Sequence, residues 1–287
     1  MIKIEETETY GWEAAIRGMR NPKNSWDKSD SGICYKEVAC HSCNENRNNY
    51  AYNLEHDGFV IGDNDIELMH RLCAAGTDHR KFMRMIVVYC DITAPLYWWK
   101  EFDTYKVGTV TNSCSTMHKI HDKKFTIDDF SYEHLIEEEE DFEIGVWWGT
   151  DADNRIEPKD LLELTIDGLN EYRSAYLETK DKKYWWQMIQ LLPSSYNQKR
   201  TVMLNYEVLT NIYNSRKNHK LDEWHDFCDW IKTLPHSKLI TGKKDREDNF
   251  CAAFKVKKWQ EPIARAILTG EMRPEEKVVY KDALSKE

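Results

Sequence analysis

Apolar residues recur at helical spacing in several segments of the chain, and one further segment is rich in β-branched and aromatic residues. The helical spacing predicts helices over residues 12–20, 64–76, 96–105, 158–176, 181–191, 198–216 and 220–233. The segment 83–92 (MRMIVVYCDI) predicts a strand that is buried on most of its surface. Residues 107–119 are small and polar, and we expect a loop there. A strand in the first half followed by helices in the second is typical of an α+β fold.

The composition narrows the class of protein. The chain has 287 residues, of which 12% are aromatic and 11 are Trp, so its mean hydropathy of -0.74 does not indicate disorder. A formal net charge of -10 argues against binding to a nucleic-acid polymer, which requires a basic surface. The sequence has no apolar run long enough to span a membrane and no apolar segment near Met1. We therefore expect a cytoplasmic protein whose eight Cys residues are reduced thiols.

The chain is predicted to form one domain over residues 1–240, with two polar excursions and a charged extension. Residues 25–62 form the first excursion, a Cys-rich insertion that also contains Ser, Asn and charged residues. The second excursion is the acidic segment 133–157. Residues 241–287 form the charged C-terminal extension.

The Cys-rich insertion contains a weak candidate for a metal site. Cys40 and Cys43 have the Cys-x-x-Cys spacing of a tetrahedral zinc site, and Cys34 lies upstream. A second Cys pair at matching spacing is missing from the sequence. We favour ordinary thiols here, and zinc held by these three residues is the alternative.

Two other stretches contain the candidate binding and catalytic residues. The Gly-x-Gly-x-x-Gly, P-loop and Gly-x-Ser-x-Gly motifs are absent from the sequence. The first stretch, 94–118, runs from Ala-Pro through an aromatic segment into the polar loop 112–115. In the second, 191–216, Asn205 and Arg216 are eleven residues apart and would share one face of the predicted helix. A buried Asn and Arg require polar partners or a ligand, and the sequence leaves both alternatives open.

The first stretch resembles the flavin-dependent thymidylate synthases, the ThyX family. In that family a strand leads to Ala-Pro, an aromatic helix and the signature Arg-His-Arg-x-x-Ser-x-Asn-x-x-Ser-x-Arg-Tyr. Ala94-Pro95 begins the same layout in this chain. Thr104-Tyr105-Lys106 occupies the Arg-His-Arg slot, and residues 112–118 occupy the Asn-x-x-Ser-x-Arg-Tyr slot.

The second stretch resembles another ThyX pattern, in which Leu-Pro precedes an Asn-x-Arg motif and a later Arg. Leu192-Pro193, Asn205 and Arg216 match those positions in order and spacing. The likeness extends over residues 10–20 and 63–235. The chain thus resembles a divergent ThyX member with a degenerate Arg-His-Arg motif.

The resemblance implies an α+β, ThyX-like single domain with an antiparallel sheet, flanking helices and a helical C-terminal half. It also implies a homotetramer that binds FAD next to a deoxyuridylate (dUMP) site. The family transfers a methylene group from methylenetetrahydrofolate to the uracil ring and reduces it with NADPH, so the implied enzyme is a methyltransferase of nucleotide biosynthesis. By position, flavin would contact His79, Tyr105, Lys106, Asn112, Asn205 and Asn211. The nucleotide would contact Glu101, Ser115 and Arg216, with Ser115 as the catalytic residue at the pyrimidine.

The sequence departs from the family pattern at the arginines that bind phosphate. Thr104, Met117 and Ile189 occupy three of those positions, and Glu207 stands where the Asn-x-Arg motif has Arg. Lys106 keeps a charge but lacks the planar fork of Arg. The candidates for supplying the missing charge are Arg200, Lys119 and His118. The alternative function is therefore a catalytically inactive ThyX-like module that binds a nucleotide or a protein partner.

Overall fold

A four-stranded antiparallel sheet carries the candidate site. The computed structural model describes residues 2–34, 58–136, 144–145 and 155–242. The strands in these ranges are β1 (Lys3–Tyr10), β2 (Gly32–Cys34), β3 (Gly58–Val60), β4 (Val87–Pro95), β5 (Val110–Ser113), β6 (Ile144–Gly145), β7 (Arg155–Ile156) and β8 (Asn197–Asn205). The main sheet has the order β1-β4-β8-β5, while β2 pairs with β3 and β6 with β7. Every pair is antiparallel.

Helices occupy most of the second half of the described chain. They are α1 (Trp12–Arg20), α2 (Asp63–Ala74), α3 (Leu96–Phe102), α4 (Thr116–Lys119), α5 (Pro158–Thr179), α6 (Lys182–Leu191), α7 (Tyr206–Arg216), α8 (Asp222–Thr233) and α9 (Lys238–Thr241). Short 3₁₀ helices cover Asn21–Lys23, Trp26–Lys28, Lys81–Met85 and Ile127–Asp129. This combination of antiparallel sheet and helices confirms the α+β fold class. None of the described helices is long and apolar enough to cross a membrane.

The main sheet has one buried face and one open face. In β4, Val88 and Cys90 are buried, while Tyr89 between them is exposed. In β8, Val202 is buried and its neighbour Thr201 is exposed. Side chains alternate between the two faces of a strand, so this pattern gives the sheet a core side and a solvent side.

Aromatic side chains from α3 and α8 fill the core next to the sheet. Trp98, Trp99 and Phe102 of α3 are at most 1% exposed, as are Trp224 and Phe227 of α8. The Trp98 ring centroid lies 4.8 Å from that of Trp224 and 5.1 Å from that of Phe102. Because large aromatic residues bury about 150–250 Å² each, this cluster fixes the position of α8 against α3.

A second apolar cluster joins α5 and α6 to the segment after β5. It contains Phe125, Phe130, Leu169 and Met188. From α6, the Trp185 indole Nε1 donates a hydrogen bond to the Met117 carbonyl, with the two atoms 3.1 Å apart. The α5–α6 pair therefore supports α4, the short helix that follows Ser115.

The predicted helix over residues 198–216 is wrong in its first half. Residues 197–205 form β8, and α7 begins only at Tyr206. Val202 and Leu204 are buried and alternate with more exposed residues, a period of two that fits a strand paired on both sides. The apolar positions in this segment are compatible with the period of a helix and with that of a strand, and pairing with β4 selects the strand.

Two other boundaries also differ from the sequence-based expectation. The predicted loop 107–119 contains β5 and α4, because Val110–Ser113 pair with Met203–Arg200 at the edge of the sheet. The strand predicted to begin at residue 83 begins at Val87, after the 3₁₀ helix Lys81–Met85. The other predicted helices are present, with ends that differ by a few residues.

Several predictions fall outside the described residues. Cys40 and Cys43 of the insertion lie there, together with most of the acidic segment 133–157 and residues 243–287. The proposed domain boundaries therefore stay predictions.

Candidate functional site

Three helices bring together a group of polar and aromatic side chains at one end of the aromatic core. Pro95 is the N-cap of α3, which carries Glu101 in its last turn, and Tyr105 follows the helix. Arg216 is the last residue of α7, and Trp224 lies in the first turn of α8. His219 precedes α8. We give the name Arg216 cluster to Glu101, Tyr105, Arg216, His219 and Trp224.

The Arg216 guanidinium lies at the centre of this cluster. Its Nη1 donates to Glu101 Oε2 at 2.8 Å, and its Nε donates to the Tyr105 hydroxyl at 2.9 Å. The guanidinium carbon lies 4.7 Å from the Trp224 ring centroid and 5.6 Å from that of Tyr105. A planar cation in contact with two aromatic rings and paired with a carboxylate is held in one orientation.

Glu101 accepts two further polar contacts through the same oxygen. Trp224 Nε1 donates to Glu101 Oε2 at 2.9 Å, and His219 Nε2 lies 3.4 Å from it. The other ring nitrogen of His219, Nδ1, accepts a hydrogen bond from the Leu221 backbone N–H at 3.2 Å. Because Nδ1 serves as the acceptor, Nε2 is the ring nitrogen that faces Glu101.

The cluster leaves one donor and one acceptor unused among the described residues. Arg216 Nη2 and Glu101 Oε1 have no hydrogen bond to any described residue, and their side chains are 17% and 35% exposed. An unused guanidinium N–H and an unused carboxylate oxygen on one ion pair supply the donor and the acceptor for a ring edge that carries a carbonyl next to an N–H. Uracil presents such an edge at N3–H, and guanine at N1–H.

Ser115 lies in the loop between β5 and α4, as the N-cap of α4. Its Oγ accepts a hydrogen bond from the His118 backbone N–H at 3.0 Å, and the side chain is exposed. Asn112 is exposed on the edge strand β5, opposite Thr201 of β8. No described side chain acts as a base toward the Ser115 hydroxyl, so this serine has no triad partner in the described part of the chain.

The predicted flavin residues are only partly brought together. Asn205 ends β8 and caps α7, where its Oδ1 accepts from the Val208 N–H at 3.0 Å and its Nδ2 lies 3.4 Å from the Gly108 carbonyl. His79 is exposed in a turn, Lys106 is exposed after α3, and Asn211 is exposed on α7. Tyr105 alone among the six joins the Arg216 cluster.

The expectation that Asn205 and Arg216 share one helical face is wrong. Asn205 has extended backbone angles, φ -130° and ψ 165°, and precedes the helix as its N-cap. Arg216 ends the same helix. The two residues therefore lie at opposite ends of α7, where Asn205 meets the loop around Gly108 and Arg216 meets Glu101.

Glu207 forms a mostly buried ion pair that the sequence did not predict. Arg80 donates to it through Nε at 2.8 Å and through a terminal nitrogen at 3.1 Å. The side chains are 16% and 8% exposed for Arg80 and Glu207. No sequence motif predicts Arg80, Trp224 or His219, because each contacts its partner only through tertiary packing.

The first turn of α7 does not fit the pyrophosphate of FAD. The pyrophosphate of FAD is negatively charged and requires cations or an open helix N-terminus. The first turn of α7 is instead capped by Asn205 and carries the Glu207 carboxylate, which neutralises Arg80. Lys106 is the one permanent cation among the six predicted flavin residues. An anion at this end of α7 would face Glu207, so this end of the helix does not form a pyrophosphate site.

The zinc alternative is not tested by the described residues. Within the ranges that the structure describes, no group of three His, Cys, Asp or Glu side chains could hold a metal ion. Cys40 and Cys43 lie outside those ranges. Burial raises the pKa of the Cys73 and Cys90 thiols to about 12, which makes them poor metal ligands and poor nucleophiles.

Comparison with known proteins finds the similarity in structure alone. No protein-family model matches the chain, and no curated protein matches it in sequence. The crystal structure of ThyX from Helicobacter pylori with FAD and dUMP aligns with a TM-score of 0.53 at 16% identity, covering 84% of this chain and 97% of that chain. A second structure of that enzyme, also with FAD and dUMP, aligns with a TM-score of 0.52 at 16% identity, covering 83% and 97%.

A third solved structure is more distant. The UMP/dUMP methylase PolB from Streptomyces cacaoi, bound with 5-Br dUMP, has a TM-score of 0.47 at 12% identity and covers 84% of this chain and 95% of that chain. At such identities the likeness extends to the fold, and membership of the ThyX family stays a prediction. Over most of its length, the chain has a ThyX-like fold.

Proposed function

We propose that this chain binds a pyrimidine nucleotide, with the base at the Arg216 cluster and Ser115 beside it. One observation carries the proposal: Arg216 is fixed by Glu101 and two aromatic rings, yet its Nη2 has no partner among the described residues. The fold supports the choice of ligand, because the H. pylori ThyX structures were solved with dUMP.

The proposed recognition uses the donor and acceptor that the cluster leaves unused. Arg216 Nη2 would donate to a ring carbonyl, and Glu101 Oε1 would accept the adjacent ring N–H. Trp224 and His219 hold the other oxygen of Glu101, so the carboxylate does not have to reorient when the base binds. Hydrogen bonds to charged groups contribute about 1.5–3 kcal/mol each.

The proposed position of the phosphate is at α4. His118 and Lys119 lie three and four residues after Ser115, at the end of α4, and Lys119 is paired with Asp122 at 2.9 Å in an exposed ion pair. Because exposed pairs contribute little, Lys119 can exchange Asp122 for a phosphate at small cost. Ser115 keeps its hydroxyl proton free to donate, since its Oγ serves only as an acceptor toward the His118 N–H.

The test is a calorimetric titration of the purified chain with dUMP, UMP, dCMP and dAMP. We expect binding of dUMP and UMP but not of dCMP or dAMP, because cytosine N3 and adenine N1 carry no hydrogen to donate to Glu101 Oε1. We also expect a loss of dUMP affinity of about tenfold to a hundredfold in Arg216→Gln. Arg20→Gln is the matched control, because Arg20 also donates twice, to Asp65 and to the Ser25 carbonyl, and contacts neither the cluster nor α4. Equal dUMP affinity in wild type and Arg216→Gln, or no binding by the wild type, would contradict the proposal.

A second candidate function is flavin-dependent methyl transfer to the same nucleotide, with NADPH and methylenetetrahydrofolate as co-substrates. One observation favours it: the H. pylori ThyX structures, which have a similar fold, were solved with FAD as well as dUMP.

The absorption spectrum of the purified protein separates the two candidates. Yellow protein whose flavin absorbance is bleached by NADPH supports the second candidate. Colourless protein that takes up no added FAD excludes it and leaves nucleotide binding intact. The homotetramer and the cytoplasmic location also stay proposals, and light scattering on the purified chain tests the former.

A further inference from the structure

The two halves of the candidate site are joined by a pair of polar side chains on β8, Gln198 and Arg200. The two residues are separated by one position, so both point to the same face of the strand, the side of the aromatic core. Gln198 is 7% exposed and the Arg200 side chain is 13% exposed. Such buried polar groups persist only when their hydrogen bonds are made, so their partners identify their role.

Arg200 holds the end of α3. Its Nη1 donates to Asp103 Oδ1 at 2.8 Å, and its guanidinium carbon lies 4.2 Å from the Trp99 ring centroid. Asp103 is two residues after Glu101 and two before Tyr105, and its backbone N–H bonds to the Trp99 carbonyl. The guanidinium thus fixes the turn on which two members of the Arg216 cluster stand.

Gln198 holds the other half of the site. Its Nε2 donates to the Cys114 carbonyl at 2.8 Å, directly before Ser115. Its Oε1 accepts from Arg200 Nε at 3.0 Å, and its backbone carbonyl accepts from Trp99 Nε1 at 2.9 Å. Gln198 therefore connects the Ser115 loop to Arg200, and through Arg200 to the turn after α3.

We infer that Gln198 and Arg200 are positioning residues that set the distance between Ser115 and the Arg216 cluster. This inference rests on the proposed nucleotide site. The Arg200 charge, a sequence-based candidate for binding phosphate, is taken up by Asp103 and Trp99, so Arg200 acts through the loops that it holds. Breaking the connection should leave each group intact and place the two groups at the wrong separation for one ligand.

The main test is Arg200→Lys. A lysine keeps the charge but cannot donate to Asp103 and Gln198 together in the planar geometry of Arg. We expect its Kd for dUMP to rise about tenfold at a temperature where circular dichroism shows full folding. Asp103→Asn is the second variant. The Asp103 side chain is half-exposed, so the fold should tolerate the change, and the Kd for dUMP should rise as it does in Arg200→Lys.

The control is Arg20→Lys. Arg20 also donates twice, to Asp65 at 2.6 Å and to the Ser25 carbonyl at 3.1 Å, in the part of the chain around α1 and α2. It should lower the melting temperature at least as much as Arg200→Lys does, because Arg20 is only 4% exposed. Its Kd for dUMP should stay within about twofold of the wild type, because distant sites act independently.

Hydrogen exchange gives a readout that does not depend on a ligand. The Cys114 N–H bonds to the Lys199 carbonyl at 2.9 Å, and the Asp103 N–H to the Trp99 carbonyl at 2.9 Å. In Arg200→Lys, peptides covering both N–H groups should exchange faster, whereas in Arg20→Lys they should not. Unchanged exchange in both peptides, or a dUMP affinity equal to the wild type, overturns the inference. If the wild type binds no nucleotide, the proposed function fails and the exchange experiment alone decides the connecting role.

Discussion

Glu207 accepts two hydrogen bonds from Arg80, at 2.8 and 3.1 Å, across 127 positions of sequence. The pair joins the segment after α2 to the first turn of α7 and is mostly buried. It places a carboxylate at the helix end where the ThyX motif pattern has an arginine. Arg80 and Glu207 therefore contribute to the structure at a position that the resemblance assigns to binding.

Glu207→Gln should destabilise the protein because it leaves the Arg80 guanidinium mostly buried without a counter-charge. Breaking a buried pair from one side costs about 3–5 kcal/mol, and the partial exposure of Arg80 reduces this to about 2–3 kcal/mol. Urea unfolding followed by circular dichroism measures the change. Glu67→Gln is the control, because Glu67 pairs with Arg71 at 3.9 Å on the surface of α2 and should cost less than about 0.5 kcal/mol.

His236 should make the protein less stable in mild acid. Burial, together with the charges of His70 and Lys238, lowers the pKa of His236 to about 4 from its ordinary value of 6.5. Between pH 6.5 and 4 the unfolded chain binds a proton that the folded chain does not. The free energy of unfolding therefore decreases by about 3 kcal/mol in total as the pH is lowered over this range. Above pH 6.5 this group contributes no pH dependence.

Urea unfolding at pH 7, 5.5 and 4.5 checks this expectation. His236→Asn should show a shallower loss of stability than the wild type, and Asn tolerates the positive φ of 48° at this position. His225→Asn is the control, because it makes the same substitution at an exposed histidine on α8. Parallel curves for the wild type and His236→Asn would contradict the assignment.

Gly108→Ala should displace the loop that contacts Asn205. Gly108 has φ +80°, and a Cβ there would lie 2.8 Å from Asn205 Nδ2 and 3.2 Å from Val208 Cγ2. We expect a loss of about 2–3 kcal/mol, of which about 1 kcal/mol comes from the backbone conformation alone. Gly76→Ala isolates that part, since Gly76 has φ +104° and open space around its Cβ position. Equal losses in the two variants would mean that the loop accommodates the methyl group.

Trp224→Phe should weaken nucleotide binding as well as the fold. The change keeps an aromatic ring in the core but removes the donor to Glu101 Oε2. We expect a stability loss of about 1–2 kcal/mol and a Kd for dUMP raised about fivefold. Trp230→Phe on the same helix is the control, because it removes the Nε1 bond to Thr7 Oγ1 outside the cluster and should leave the Kd unchanged.

The sequence predicted most helices because their signals are local. Pro158 and the spacing of apolar residues define α5, and both lie within the helix itself. The strand β8 was missed because its pattern is compatible with both a helix and a strand. Its pairing with β4 and β5 depends on residues about 90 to 120 positions away, which no local pattern encodes.

The candidate site likewise contains residues that the sequence predicted and residues that depend on tertiary packing. The resemblance selected Glu101, Tyr105 and Arg216, and the structure brings these three into contact. His219 and Trp224 escaped prediction because they join the cluster only when α8 packs on α3. Asn211 and His79 were chosen by motif position, but they are exposed and contact no other candidate in the described part of the chain.

Asn205 is at once the last residue of β8 and the N-cap of α7. No loop separates the strand from the helix, so nothing absorbs a shift between them. A slip of β8 by one position against β4 would carry the start of α7 with it and move Arg216, about 16 Å further along the helix axis, away from Glu101. The pairing register of the sheet therefore determines the geometry of the proposed nucleotide site.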